Sequence, residues 1–173
     1  MARTDTTDRA HQAYIGLGAN LGDPLSALAD AMRALDALPG TRLTARSSPY
    51  RTAPLDATGP DFINAVVRLS TELEPAALLA ALHSIEASAG RERSFRNAPR
   101  TLDLDLLLYD KLRLDSTALT VPHPRMHLRA FVLAPLAEIE PDLNLEPHGP
   151  VRFLLAALND QPIERLESFP REQ

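Results

Sequence analysis

The chain alternates strand-like and helix-like segments in an order that few folds accommodate. Pro24 and Pro75 mark the starts of two helices, and Gly40 and Gly90 follow their ends. The predicted elements are strands over 13–18, 42–48, 62–73 and 101–109, helices over 24–38 and 75–89, and short helical pieces over 125–138 and 150–158. This β-α-β-β-α-β order predicts an α+β fold with a ferredoxin-like core, in which both helices pack on one face of the sheet and short C-terminal helices follow.

The last predicted strand carries two carboxylates, Asp103 and Asp105. Side chains alternate between the faces of a strand, so these two acids point the same way, roughly 6.5 Å apart, while Leu102, Leu104 and Leu106 point the other way. A pair of like charges on one face suits a cation such as Mg²⁺, which binds carboxylates together with substrate phosphates. The alternative is that the pair simply forms the polar face of a half-exposed sheet.

The segment just before this strand is rich in arginine. Residues 91–100 hold four arginines and a single acid, together with serine, asparagine and proline residues that are typical of a loop. Guanidinium groups bind phosphate oxygens in a forked geometry, whereas carboxylates bind the accompanying metal ion. The combination favours phosphate chemistry over an ordinary solvated surface.

Composition limits the alternatives. With 173 residues, 45% of them hydrophobic, the chain is long enough for one domain and one substantial core. The predicted division is a flexible N-terminal tail over 1–12, a single domain over 13–160 and a C-terminal tail over 161–173. The net charge of −5 argues against a nucleic-acid partner. The sequence has no apolar run long enough to predict a membrane segment, and its first dozen residues lack the apolar region of a signal peptide. Because the chain also lacks cysteine, we expect a cytoplasmic protein.

Three other motifs are weaker. The glycines at 16, 18 and 22 have the wrong spacing for a dinucleotide fingerprint, and they are better explained by close backbone approach or a tight turn. A P-loop needs a glycine directly before its lysine. The single lysine of this chain, Lys111, follows an aspartate instead. His123 and His127 have the spacing of a zinc helix, but Pro124 stands where a metalloprotease has its glutamate.

Several segments together resemble one family, the 6-hydroxymethyl-7,8-dihydropterin pyrophosphokinases of folate biosynthesis. The matching segments are Tyr-Ile-Gly-Leu-Gly-Ala-Asn-Leu at 14–21, Ser-Pro-Tyr-Arg-Thr-Ala-Pro-Leu at 48–55, Asp-Phe-Ile-Asn-Ala at 61–65, Ile-Glu at 85–86, Gly-Arg at 90–91, Pro-Arg-Thr-Leu-Asp-Leu-Asp at 99–105, Val-Pro-His at 121–123 and Arg-Ala-Phe at 129–131. They occur in family order, and the Arg-Thr-Leu-Asp-Leu-Asp run at 100–105 is highly specific.

The resemblance implies an enzyme, a diphosphokinase that transfers pyrophosphate from ATP to the hydroxymethyl group of a reduced pterin and releases AMP. It implies a monomer whose substrate partners are ATP and the pterin, with two Mg²⁺ ions held by Asp103 and Asp105. The catalytic residues it implies are Arg91, Arg100, Asp103 and Asp105. The ATP-binding residues it implies are Glu86, Arg91, Arg93, Arg96, Arg100, Thr120, His123 and Arg129.

A pterin is a flat ring with an amide-like edge, and it needs aromatic faces and a polar partner. The pterin-binding residues that the resemblance implies are Thr52, Ala53, Leu55, Phe62, Asn64 and Phe131. Asn97 and Ala98 depart from the family pattern, because many relatives carry a tryptophan here that covers the pterin. Two other functions stay open at this point, a two-metal phosphohydrolase and a non-catalytic nucleotide-sensing module that binds through the same acids.

Overall fold

The computed structural model describes residues 10–54, 59–90 and 102–169. Its strands are β1 His11–Ala19, β2 Thr41–Arg46, β3 Tyr50–Thr52, β4 Phe62–Thr71, β5 Asp103–Tyr109, β6 Leu114–Asp115, β7 Thr120–Val121, β8 Asn144–Leu145, β9 Gly149–Pro150 and β10 Glu164–Arg165. Its α-helices are α1 Pro24–Asp36, α2 Pro75–Ala89, α3 Ala130–Ile139 and α4 Val151–Ala156, and a 3₁₀ turn covers Met126–Leu128. The long predicted elements therefore exist, with ends that differ by up to two residues.

The main sheet is antiparallel throughout. β1 lies at its centre, between β4 and β5, while β2 and β3 both pair with the far edge of β4 and β10 extends β3. Ordered by the four predicted strands, this is the 4-1-3-2 arrangement of a ferredoxin-like core. The predicted fold class is confirmed.

Helices cover both faces of this sheet. On one face, leucines of α1 and α2 pack against the inward residues of β1, β4 and β5, with Leu28, Leu35, Leu78 and Leu82 fully buried. This arrangement confirms that the two predicted helices share a face. On the other face, α3 and α4 pack mainly on Tyr14, Val66, Leu107 and Leu108, so they cover one half of the sheet. The other half of that face stays open, and it holds the site described below.

Local signals explain where α1 begins. The Asp23 carboxylate accepts a hydrogen bond from the Ser26 backbone N–H at 3.2 Å, which satisfies a donor that the helix itself leaves unpaired. Pro24 follows as the first helical residue. The helix ends at Asp36, two residues earlier than predicted, and Gly40 adopts a left-handed φ of 58° in the turn that leads into β2.

The segment predicted as a C-terminal tail packs against the domain. β10 pairs with β3, the Leu166 N–H donates to the Pro49 carbonyl at 2.9 Å, and Phe169 is buried in the core. The short strands β3 and β10 were not predicted, because two or three residues are too few to show a period.

Within the described ranges, no helix combines the length and apolar character that crossing a membrane requires. The division into one domain and two tails stays a prediction.

Three buried tyrosines determine how the free energy of unfolding depends on pH in the alkaline range. Burial raises the pKa of Tyr14 and of Tyr109 from 10.0 to about 12, and burial also raises the pKa of Tyr50. Between pH 10 and 12 the unfolded chain therefore releases protons that the folded chain keeps. We expect the tyrosine contribution to stability to be fully present below pH 10 and to be lost as pH rises toward 12.

The variant Tyr109→Phe tests this pH dependence, because it removes one of the tyrosine hydroxyl groups that titrate. The Tyr109 hydroxyl donates a hydrogen bond to the Leu73 carbonyl at 2.6 Å, so the variant should be about 1 kcal/mol less stable at pH 8. It should also lose less stability than the wild type between pH 8 and pH 11. Urea unfolding at both pH values measures the difference, and an equal loss in the two proteins would contradict the assignment.

Candidate active site

Three neighbouring strands place their functional side chains on the open half of the sheet. Gly18 of β1 lies between Asn64 of β4 and Asp103 of β5. Two residues earlier on β1, Gly16 lies opposite Asp105. Because residues two apart share a face, both acids and the asparagine project from the same side. The alternation predicted for Asp103 and Asp105 agrees with this register, since Leu102, Leu104 and Leu106 are buried under the helices on the other face.

Gly18 keeps space for the Asn64 side chain. A Cβ atom at position 18 would lie 2.9 Å from the Asn64 Oδ1, closer than side chains approach each other. The Asn64 Nδ2 donates to the Thr52 hydroxyl at 3.1 Å, and the asparagine is 7% exposed. One end of the amide is therefore anchored on β3, while its oxygen lies over the glycine, where no side chain blocks it.

A cavity of about 730 Å³ lies over this part of the sheet. Its walls come from β1, β4, β5, the residues after β3, the start of α3 and the segment that follows α4. The lining residues are Gly16, Leu17, Gly18, Asn20, Thr52, Ala53, Pro54, Phe62, Asn64, Ala65, Val66, Asp103, Asp105, Leu107, His123, Arg129, Ala130, Phe131, Val132, Asp160, Gln161 and Pro162. A volume of this size suits a ligand with the dimensions of a drug or a cofactor.

His123 lies at the acidic side of the cavity and is neutral near pH 7. Burial lowers its pKa below the ordinary 6.5, with Arg129 and Arg125 acting in the same direction and Asp105 opposing them. Its Nδ1 accepts the Arg125 N–H at 3.2 Å, which places the proton of the neutral ring on Nε2. The His123 backbone N–H is itself fixed by the Leu107 carbonyl at 2.9 Å. The ring therefore offers a hydrogen-bond donor without a full charge.

Aromatic and basic side chains line the cavity at the start of α3 and at the start of β4. Phe131 stands in the first turn of α3, and the Arg129 guanidinium lies 5.5 Å from the centre of its ring, a cation–π distance. Phe62, at the start of β4, is half-buried in the same cavity. An arginine and two aromatic rings beside two carboxylates can bind a ligand that has both a flat ring and anionic groups.

The structure brings together most of the predicted site residues that it describes. Those that line the cavity are Thr52, Ala53, Phe62, Asn64, Asp103, Asp105, His123, Arg129 and Phe131. Two other described residues, Glu86 on α2 and Thr120 on β7, are not part of the lining, and the Thr120 hydroxyl donates to Asp115 at 3.4 Å. Leu55, Arg91, Arg93, Arg96, Arg100, Asn97 and Ala98 lie outside the described residues.

Sequence reasoning missed several lining residues. Asn20 belongs to a matched segment but was assigned no role, whereas Asp160, Gln161 and Pro162 lie beyond every matched segment. No local pattern marks these last three residues. They reach the cavity because they lie between α4, which packs against α3, and β10, which pairs with β3.

The two carboxylates fit a Mg²⁺ site that substrate completes. In the part of the chain that the structure describes, no group of three or more His, Cys, Asp or Glu side chains converges on one point. A dedicated protein cage of the kind that holds zinc or calcium is therefore not formed by these residues. Magnesium instead keeps several waters and binds through one or two carboxylates plus phosphate oxygens, which is what Asp103 and Asp105 provide at the cavity.

Fold and site together define an α+β domain that binds a small molecule on the half of its antiparallel sheet that the helices leave open. A family model described as 7,8-dihydro-6-hydroxymethylpterin-pyrophosphokinase (HPPK) matches residues 14–141 of the chain. The chain belongs to this family.

Curated relatives are similar over nearly their whole length. The 2-amino-4-hydroxy-6-hydroxymethyldihydropteridine pyrophosphokinase of Methylorubrum extorquens is 47% identical over 157 residues, which is 90% of this chain and 99% of that protein. The Pseudomonas aeruginosa protein of the same name is also 47% identical, and the match covers 90% of this chain and 96% of that protein.

Solved structures agree on the fold. A crystal structure of wild-type Plasmodium falciparum HPPK-DHPS with SDX-DHP superposes with a TM-score of 0.69 over 86% of this chain, at 13% identity. This chain matches 44% of that longer chain. At this identity the likeness supports the shared fold and nothing further.

Proposed function

We propose that this chain is an ATP pyrophosphotransferase that acts on 6-hydroxymethyl-7,8-dihydropterin in folate biosynthesis. The pterin hydroxyl oxygen bonds to the β-phosphorus of ATP and gives up its proton to water, the bond from that phosphorus to the bridging oxygen of the α-phosphate breaks, and AMP leaves. The observation that carries the proposal is that paired carboxylates, an anchored amide and two phenylalanines line one cavity. Membership of the family supports the same reaction.

Asn64 and the two phenylalanines would bind the pterin. The Asn64 oxygen lies over Gly18 and can accept from the amide-like edge of the ring, while its nitrogen is already engaged by Thr52. Phe62 and Phe131 would stack on the two faces of the ring. Thr52 and Ala53 line the same cavity and would contact the ring edge through their backbone. A contact from Leu55 rests on the family resemblance.

Asp103 and Asp105 would hold the metal. When bound there, two Mg²⁺ ions would supply charge stabilisation for the attacking and leaving oxygens and for the phosphates. Asp105 is exposed and Asp103 half-buried, so both lie within reach of an incoming ligand. The carboxylates project from a strand that is paired along β1, which holds them in place before substrate arrives.

Basic groups would bind ATP. Arg129 can donate a fork of hydrogen bonds to phosphate oxygens, and His123 can donate from Nε2 to a phosphate or to the leaving group. Further ATP contacts from Arg91, Arg93, Arg96 and Arg100, and from Glu86 and Thr120, rest on the family resemblance. Catalysis by positioning and electrostatics needs no covalent intermediate.

One assay tests the proposal. Purified protein is incubated with ATP and Mg²⁺, with and without the hydroxymethyl pterin, and AMP is measured. AMP that forms only with the pterin is the expected result. Release of AMP or phosphate without the pterin would indicate the phosphohydrolase instead, and ATP binding without turnover would indicate the sensing module.

We propose further that the protein acts as a monomer in the cytoplasm. The monomer rests on the family resemblance, and the cytoplasm on the need of an ATP-consuming reaction for a compartment that supplies ATP. Light scattering at the assay concentration measures the mass directly. A dimer mass would contradict the first part of the proposal.

A further inference from the structure

The segment that follows α4 reaches the cavity and contacts the start of α3. We infer that Gln161 is a positioning residue, which holds the backbone on both sides of Arg129 and so fixes Arg129 and Phe131 at the cavity wall. The inference rests on the proposed function. It adds a residue outside the range 14–141 that the family model matches.

The Gln161 side chain binds backbone through both of its polar atoms. Its Oε1 accepts the Ala130 N–H at 2.9 Å, and its Nε2 donates to the Leu128 carbonyl at 3.0 Å. Only one orientation of the amide satisfies both partners, because the flipped amide would place a donor against an N–H and an acceptor against a carbonyl. The two contacts lie on either side of Arg129 in the sequence.

These contacts replace a missing helix cap. The residue before α3, Arg129, makes no capping hydrogen bond with its own side chain, although the first N–H groups of any helix need acceptors. Gln161 supplies one for Ala130, the first residue of α3, from 31 residues away. The start of the helix is thereby fixed, and with it the direction in which Phe131 leaves the first turn.

The segment that carries Gln161 is itself held in place at β3 and near the end of α3. β10 pairs with β3, which ends at Thr52, and the Arg165 guanidinium lies 2.8 Å from the Glu138 carboxylate near the end of α3. Arg165 also donates to the Ser48 hydroxyl at 3.1 Å. The segment thus connects the wall that anchors Asn64 with the wall that carries Phe131, and it can set the width of the cavity between them.

Gln161→Leu tests the role, since leucine has a similar volume and makes neither hydrogen bond. Arg129 and Phe131 contact substrates in the ground state as well as in the transition state, so looser positioning should weaken both alike. We expect KM to rise about tenfold for the pterin and for ATP, with kcat changed less than about threefold. Gln161→Glu keeps an acceptor for the Ala130 N–H but has no donor for the Leu128 carbonyl, so we expect a smaller rise of about threefold.

Tyr109→Phe is the matched control for stability. It also loses one hydrogen bond to a backbone carbonyl, but on the other face of the sheet, and its KM values should equal those of the wild type. Unchanged KM values in both Gln161 variants would overturn the inference, as would an equal rise in Tyr109→Phe. Should Gln161→Leu not fold, the glutamate variant alone decides. A wild-type protein without pterin-dependent AMP formation would instead overturn the proposed function.

Discussion

Asp105→Ala should lower Mg²⁺-dependent turnover by about a thousandfold and leave the fold intact. The Asp105 carboxylate lies opposite Gly16 at the cavity, where it is the more exposed acid of the pair. Without it, the metal loses one of the two protein carboxylates proposed to hold it, and the developing charge at phosphorus is no longer compensated. Because the carboxylate is exposed, its removal leaves no buried group without a partner.

The measurement is AMP formation at increasing Mg²⁺, combined with urea unfolding of each variant. Asp142→Ala is a suitable control, because it removes an exposed carboxylate that pairs with Arg152 at 3.4 Å, away from the cavity. The control should keep wild-type turnover. Activity of Asp105→Ala within tenfold of the wild type at saturating Mg²⁺ would rule out the metal assignment.

The acidic pair shows why this part of the site was predictable. A strand repeats every two residues, so the sequence alone places Asp103 and Asp105 on one face and the neighbouring leucines on the other. The pattern continues to Leu107, which lines the cavity on the same face as the two acids, and it fails at Leu108, where the pairing of β1 with β5 shifts register. Leu107 and Leu108 both pack in the hydrophobic cluster that α3 and α4 form on this face, because an extra residue in β5 reverses the alternation.

Gln161 shows why the rest was not predictable. Its partners at Leu128 and Ala130 lie about thirty residues away, and the packing of α4 on α3 and on the 3₁₀ turn, together with the pairing of β10 with β3, brings them together. No period, cap or motif near position 161 indicates this contact, since tertiary pairing creates it. The role of Gly18 lies between these cases: the sequence indicated close approach of backbone, but the neighbour that needs the space became known only from the register of β1 with β4.

Asn64→Ala should lower kcat/KM for the pterin by about a hundredfold, at the upper end of the loss expected for one specific polar contact in a shielded site. The amide would read the ring edge with its oxygen while Thr52 holds its nitrogen. KM for ATP should stay within about twofold, because no phosphate contact is assigned to this residue. A rise in both KM values would mean that the variant perturbs the whole cavity.

Gly18→Ala tests the same contact from the neighbouring strand. The added methyl group would lie 2.9 Å from the Asn64 oxygen, so the amide must turn, and we expect about a tenfold loss in kcat/KM for the pterin. Among the described residues, no other atom lies within 4 Å of that methyl group apart from its chain neighbours, so in an Asn64→Ala background the methyl group meets none of them. The double variant should therefore be no worse than Asn64→Ala alone, since both changes act through one side chain. Losses that multiply in the double variant would show that Gly18 acts on the pterin by another route.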